Sequence, residues 1–227
     1  MIGVFPLPDN QIAALIDHTI LKPDSVRADI ERVCREALEY GFASVCVNPC
    51  WVPAVARALT GSAVAVCSVL AFPFGATSTA AKVAECEIAA GEGARELDMV
   101  INIGALRSGE FTLVGEDIGA VVSAAHARGA TVKVILETAL LTEEQIIHAC
   151  QLSQQVNADF VKTSTGFASG GATVPVVELM RRAVGPAMGV KASGGIRSLE
   201  DFRKMVAAGA SRIGASAGVQ IVDASRA

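Results

Sequence analysis

Residues 114–138 read VGEDIGAVVSAAHARGATVKVILET, one complete phrase of this chain. Apolar residues recur at helical spacing through the first part, Gly129 closes it in the manner of a residue just past a helix end, and TVKVILE follows as a short β-rich run. The same order of helix, Gly or Asn stop, and strand recurs along the sequence. DSVRADIERVCREALEYG precedes FASVCVN, and TSTAAKVAECEIAAGEG precedes ARELDMVIN. TEEQIIHACQLSQQVN precedes ADFVKTST, VPVVELMRRAVGPAM precedes GVKASGG, and SLEDFRKMVAAG precedes ASRIGAS. LIDHT near the start and AVAVCSVL after Gly61 complete eight strand candidates. Thr142 with Gln145, and Ser198 with Asp201, have the spacing of capping boxes, while Gly41 and Gly209 mark further helix ends.

Strands that alternate with helices pair in parallel, because each crossover must cover a sheet face. Eight such units in 227 residues predict an α/β (β/α)₈ TIM barrel. The sequence shows no linker or shift of composition, so one domain over residues 1–227 is expected, with a short helix around Ile12, Leu15 and Ile16 near its start. An open doubly wound sheet is the competing arrangement. No G-x-G-x-x-G follows the first strand, which speaks against it.

The chain is 52% hydrophobic but only 4% aromatic, and its net charge of −4 contains no basic run. This leaves no electrostatic footprint for nucleic acid. MIGVFPLPDN lacks the basic-then-apolar order of a secretory leader, and the longest apolar stretch is broken by Ser, Pro and Gly. The six cysteines (34, 46, 50, 67, 86 and 150) include no C-x-x-C pair. They are expected to be reduced and mostly buried in a cytoplasmic protein without a membrane partner.

Strand parity then assigns the interior. If Leu97, Met99 and Ile101 face the helices, Glu96, Asp98, Val100 and Asn102 point inward. By the same alternation Lys133, Ile135 and Glu137 face in, as do Lys162, Lys191 and Ser193. The chain has six lysines, and three of them are therefore expected inside strands; Lys22, Lys82 and Lys204 read as ordinary surface residues. Lys133 suits an ion pair with Glu137 or a substrate contact. Lys162 and Lys191 lie at strand C-termini before Gly-rich loops, the rim that carries the active site in this fold.

A free lysine is neutral in only about one molecule in 10³ at pH 7, and bringing it half to the amine takes about 4.6 kcal/mol. A second ammonium about 4 Å away supplies on the order of 4 kcal/mol at an effective dielectric of about 20, and burial acts in the same direction. Paired lysines thus suit a Schiff-base nucleophile. Asp98 is placed to move protons and Asp17 to hold a charged lysine. Gly194, Gly195 and Ser216, after the last two strands, offer N–H and hydroxyl groups to a phosphate, with Thr165 and Gly166 as further donors.

Together DHTILKP, VCVNP, ELDMVIN, VKVILET, DFVKTSTGF and VKASGGIR resemble the deoxyribose-phosphate aldolase family of class I aldolases, from about Asp17 to Ser216. The resemblance implies reversible cleavage of 2-deoxy-D-ribose 5-phosphate to acetaldehyde and D-glyceraldehyde 3-phosphate, without a cofactor or metal. It places the imine on Lys162, the perturbing charge and proton relay on Lys191, proton transfer on Asp98 and support of Lys191 on Asp17. It assigns the phosphate to Gly166, Gly194, Gly195 and Ser216, and puts Cys46 at the pocket, where a packed core thiol is an equal reading. Two features depart from the family pattern: Ala217 stands where some relatives have a second serine, and the only tyrosine is Tyr40, whereas many relatives close with a tyrosine tail.

Three other functions are weighed. A metal-dependent aldolase needs converging ligands, but His18, His126 and His148 are isolated in sequence, the last two within helical stretches. A phosphate-binding isomerase or a different imine-forming aldolase shares the barrel; the paired lysines oppose the isomerase. A non-catalytic sugar-phosphate binder would have no use for two desolvated lysines. The expected partners are a sugar phosphate, acetaldehyde and other copies of this chain, with a dimer favoured.

Overall fold

The structure is a computed structural model that describes residues 9–227; residues 1–8, most of the stretch read for a leader, lie outside them. The elements run α1 (Asp9–Ala13), β1 (Ile16–Ile20), α2 (Arg27–Tyr40), β2 (Ser44–Val47), α3 (Val52–Ala58) and β3 (Ala65–Leu70). They continue with α4 (Thr79–Gly91), β4 (Glu96–Val100), α5 (Ile103–Arg107), α6 (Phe111–His126), β5 (Thr131–Ile135) and α7 (Glu143–Gln155). The last are β6 (Phe160–Lys162), α8 (Val174–Val184), β7 (Gly189–Ser193), α9 (Leu199–Ala207), β8 (Arg212–Ala215) and α10 (Gly218–Arg226). Each of the eight strand candidates forms a strand. The strands close into a barrel in sequence order, every pair parallel, with β8 returning to β1.

Local chemistry sets the element ends. Thr142 and Gln145 exchange side-chain and backbone hydrogen bonds at the start of α7, and Ser198 and Asp201 do so at α9. At Gly209, after α9, φ is +106° and a Cβ would lie 2.7 Å from the Arg181 side chain, so only glycine fits both the turn and the neighbour.

Parity holds where the strands are regular. Leu97, Met99, Val132, Val134, Val161, Val190 and Ala192 are fully buried against the helices, each large side chain stabilising the fold by about 1.5–3 kcal/mol. The short opening helix buries Ile12 and Ala13 and packs on α10; Ile16 belongs to β1 instead of that helix. Five cysteines are buried, Cys50 is exposed, and all six are free thiols. Burial pushes the Cys34 and Cys86 thiols up to about 11 and Cys150 to about 12. Among the described residues no helix is long and apolar enough to cross a membrane.

Lys82 corrects the surface reading. It is fully buried on α4, with Nζ 2.6 Å from Asp117 Oδ2 on α6 and 2.9 Å from the Val100 carbonyl. Thr79 donates to the other oxygen of Asp117 at 2.9 Å. The pair ties two helices to the end of β4. Lys204, by contrast, is an exposed helix residue paired with Glu200.

Candidate active site

Strand register brings the ionisable residues together. Asp98 is the partner of Lys133 across β4 and β5, and Lys162 is the partner of Lys191 across β6 and β7. All four side chains turn into the barrel, where Asp98 becomes the centre. Its Oδ1 lies 2.9 Å from Lys133 Nζ, and its Oδ2 lies 2.7 Å from Lys162 Nζ and 2.6 Å from Lys191 Nζ. Lys191 Nζ also lies 2.5 Å from Asp17 Oδ2, a close ion contact off hydrogen-bond alignment.

A second layer sits beneath. Lys133 lies 2.6 Å from Glu96 and 3.6 Å from Asp17. Arg212, one strand beyond Lys191, reaches Asp17 at 2.6 Å and Glu96 at 2.9 Å. Four cations (Lys133, Lys162, Lys191, Arg212) thus share three carboxylates (Asp17, Glu96, Asp98), an excess of one positive charge.

Burial alone would push Asp98 up, but the ammonium groups of Lys133, Lys162 and Lys191 hold it well below the usual carboxylate range. Asp17 is likewise held low against burial by Lys191, Lys133 and Arg212. For Lys191 burial favours the neutral amine, yet Asp17 and Asp98 more than offset it and the group is held above the usual lysine range. Lys133 is raised in the same way, chiefly by Asp98 against burial. Both remain ammonium ions at neutral pH.

Above this cluster a cavity of about 640 Å³ opens at the C-terminal ends of the strands. Lys162, Thr165, Gly166, Gly194, Gly195 and Ser216 lie on its wall. Lys191, Asp98 and Asp17 lie beneath it, fully buried. The two Gly-rich rims interlock: Gly194 has φ +86°, a Cβ there would lie 2.9 Å from Gly171 Cα, and Ala172 N donates to the Ser193 and Gly194 carbonyls at 3.0 and 3.1 Å.

Two residues expected at the substrate lie elsewhere. Lys133 is fully buried below the cavity, and its partners are Asp98, Glu96 and Asp17, not Glu137. Glu137 falls two residues past β5 at φ +56°, which swings its side chain off the strand face and onto Thr165. Cys46 is also fully buried, beside its strand partner Cys67 among Leu21, Val69 and Phe72. A hydrogen bond with Cys67 holds the Cys46 thiol below the usual range, whereas burial pushes Cys67 well above it.

The Cys46, Cys67 and Asp98 ligand atoms lie within 4.8 Å of one another, but both Asp98 oxygens already face ammonium groups. The histidines are apart from this cluster. His18 points away from the barrel axis to Glu36 at 2.6 Å, and His126 and His148 are exposed on α6 and α7.

The model of the DeoC/LacD family of aldolases matches residues 11–223. The chain belongs to the DeoC/LacD aldolase family. It is 57% identical over 211 residues to the deoxyribose-phosphate aldolase of Bacillus cereus (strain AH820), a match that covers 93% of this chain and 94% of that one. The same figures hold for the deoxyribose-phosphate aldolase of Bacillus anthracis (strain CDC 684 / NRRL 3495). Among solved structures, the tetrameric deoxyribose phosphate aldolase of Aeropyrum pernix superposes with a TM-score of 0.91 at 33% identity, covering 97% of this chain and 93% of that one.

Within this DeoC/LacD barrel, the sequence reading missed several neighbours of the site. Lys22, read as an ordinary surface lysine, is exposed but stands on the cavity wall, as does Arg197. Lys22 lies two residues past the end of β1, so its place just beyond a strand C-terminus was the available signal. Arg212 was legible too, since Ile213 faces the helices and parity turns Arg212 inward. Asp24 and Asp29 also line the wall, so the mouth carries both signs of charge.

Proposed function

We propose that this chain is a class I aldolase of the deoxyribose-phosphate type, cleaving 2-deoxy-D-ribose 5-phosphate reversibly to acetaldehyde and D-glyceraldehyde 3-phosphate. The observation that carries the reading is the position of Lys162. It alone of the three interior lysines reaches the cavity, and it touches one carboxylate where Lys191 touches two and Lys133 three. Loss of one proton from Lys162 to the open cavity balances the charge of the buried cluster and leaves Asp98, in contact at 2.7 Å, ionised as a base.

In this mechanism the Lys162 amine adds to C1 of the open-chain sugar phosphate and water leaves, giving a protonated imine. Asp98, directly or through water, takes the proton from the C3 hydroxyl. The C2–C3 bond breaks, its electron pair moves toward the iminium, and glyceraldehyde 3-phosphate departs. The proton held by Asp98 returns, directly or through water, to C2 of the enamine, and hydrolysis of the resulting imine releases acetaldehyde and restores the Lys162 amine. Lys191 stays charged and orients Asp98, and Asp17 anchors Lys191. The imine itself is the electron sink, so the reaction needs no cofactor.

Gly166, Gly194, Gly195 and Ser216 receive the phosphate through N–H and hydroxyl groups, with Lys22 and Arg197 as counter-charges. The enzyme works as a single barrel domain over its 227 residues, in the cytoplasm, and assembles as a homo-oligomer, the two-fold dimer being the simplest closed form.

Borohydride trapping with acetaldehyde tests the chemistry. A two-carbon adduct on Lys162 by mass spectrometry is expected; an adduct confined to another lysine, or none, refutes it. A different imine-forming aldolase is separated by substrate: it would trap an aldehyde on Lys162 yet release no glyceraldehyde 3-phosphate from the deoxyribose phosphate.

A further inference from the structure

Glu137 is buried, with 2% of its surface exposed, and belongs to no part of the mechanism derived so far. It is one of three non-glycine residues with positive φ among the described residues, a conformation that the surrounding structure must enforce. Its Oε2 accepts a hydrogen bond from Thr165 N at 3.2 Å and a shorter one from Thr165 Oγ1. Its Oε1 is buried and accepts no hydrogen bond from the described residues. Thr165 Oγ1 in turn accepts from Phe167 N at 3.0 Å. Backbone pairing runs alongside, with Thr138 N donating to the Thr163 carbonyl at 3.0 Å.

These bonds change the role available to Thr165. Its N–H and its hydroxyl proton both point to Glu137, so neither donor is left for a phosphate in the cavity. Of the Thr165–Gly166 pair, only the Gly166 N–H remains for the ligand, and its direction follows from how Thr165 and Phe167 are held. Phe167 completes the arrangement, meeting Phe72 of the β3–α4 loop edge to face with ring centroids 5.3 Å apart.

We propose that Glu137 is a positioning residue: it latches the β6–α8 loop at Thr165 and so sets the Gly166 N–H and the Phe167 ring against the substrate's phosphate end. The inference rests on the aldolase reading for the identity of that substrate, and the latch itself rests on the contacts alone. A glutamine at 137 can turn its carbonyl to both Thr165 donors and place its amide where Oε1 lies; an alanine cannot.

Four proteins decide the matter: the unaltered chain, Glu137→Gln, Glu137→Ala and Thr165→Val. Glu137→Ala and Thr165→Val should lose about 10- to 100-fold in kcat/KM on 2-deoxy-D-ribose 5-phosphate, mostly through KM. On unphosphorylated 2-deoxy-D-ribose they should change less than about 3-fold, and Glu137→Gln should stay within about 3-fold on both. Equal losses on the two sugars, or no loss on either, overturn the proposal. Amide hydrogen exchange gives a reading independent of turnover: the Thr165 and Phe167 amides should exchange faster in Glu137→Ala, and unchanged protection overturns the latch. Should the unaltered chain fail to cleave the sugar phosphate, the aldolase reading fails, and the exchange data still decide the latch. Thr165→Val serves the same purpose if Glu137→Ala does not fold.

Discussion

Lys162 and Lys191 are strand partners whose ammonium groups converge on the same carboxylate oxygen, Asp98 Oδ2, at 2.7 and 2.6 Å. Like charges this close are tolerated because a counter-charge lies between them. The two lysines are nonetheless unequal, since Lys191 is locked below the cavity by Asp17 as well and Lys162 opens onto it.

That inequality predicts opposite signatures for two similar substitutions. On the proposed mechanism Lys162→Met removes the nucleophile and should lower activity by about 10³-fold or more while changing stability by less than about 1 kcal/mol. Lys191→Met takes a cation from two buried carboxylates and should cost about 3 kcal/mol in urea unfolding as well as activity. Equal stability losses in the two variants would contradict the assignment.

Asp98→Asn leaves three ammonium groups around a neutral amide. Stability should fall by about 3–5 kcal/mol and kcat by about 10²- to 10³-fold, measured by denaturant unfolding and cleavage assays. A variant as stable as the parent would show that the cluster sheds its charge in another way.

Stability against pH should separate the cluster from His18. Asp17 and Asp98 titrate lower in the folded protein than in the unfolded chain, so their contribution is intact above about pH 4 and lost as pH falls below it. Lys133 and Lys191 titrate higher when folded, so theirs is intact below about pH 10.4 and lost as pH rises through the folded values. Burial holds the His18 ring below the usual histidine range, so the unfolded chain takes up that proton first and stability declines below about pH 6.5. The urea midpoint should therefore drop between pH 7.5 and 5.5, and His18→Asn should shrink the drop. An unchanged slope in that variant would place the titration elsewhere.

The Lys82–Asp117 pair predicts a reversal on double substitution. Lys82→Met strands a buried carboxylate and should cost about 3–5 kcal/mol, whereas Lys82→Met with Asp117→Leu should recover most of it. Thermal or urea unfolding of the three proteins checks it.

The barrel and its interior lysines were legible because regular strands keep a period of two, and the helix-facing valines and leucines fix which face is which. Lys82 was misread although its spacing held the answer. It lies four residues before Cys86 and seven before Ala89, on the buried stripe of α4, but its charge suggested solvent. Asp117 sits on the matching stripe of α6 beside Val114, Ile118 and Val121. Glu137 escaped for a different reason. Parity carries only as far as the backbone stays extended, and the left-handed residue after β5 breaks it. The partners of Lys133 were hidden because Asp98 and Glu96 reach it through the register of the neighbouring strand and Asp17 from across the barrel, neither of which one-dimensional spacing encodes.

Asp17 belongs to the first strand, yet it meets Lys191 and Arg212 of the last two and stands 3.6 Å from Lys133 of the fifth. The anchor of the site therefore exists only when both ends of the barrel strand order have met. A growing chain can shape its helices and early strand pairs during synthesis, but until β8 joins β1 the charges have no settled arrangement. On the proposed mechanism, catalytic competence is thus an attribute of ring closure, which joins Asp17 to its partners on the last two strands.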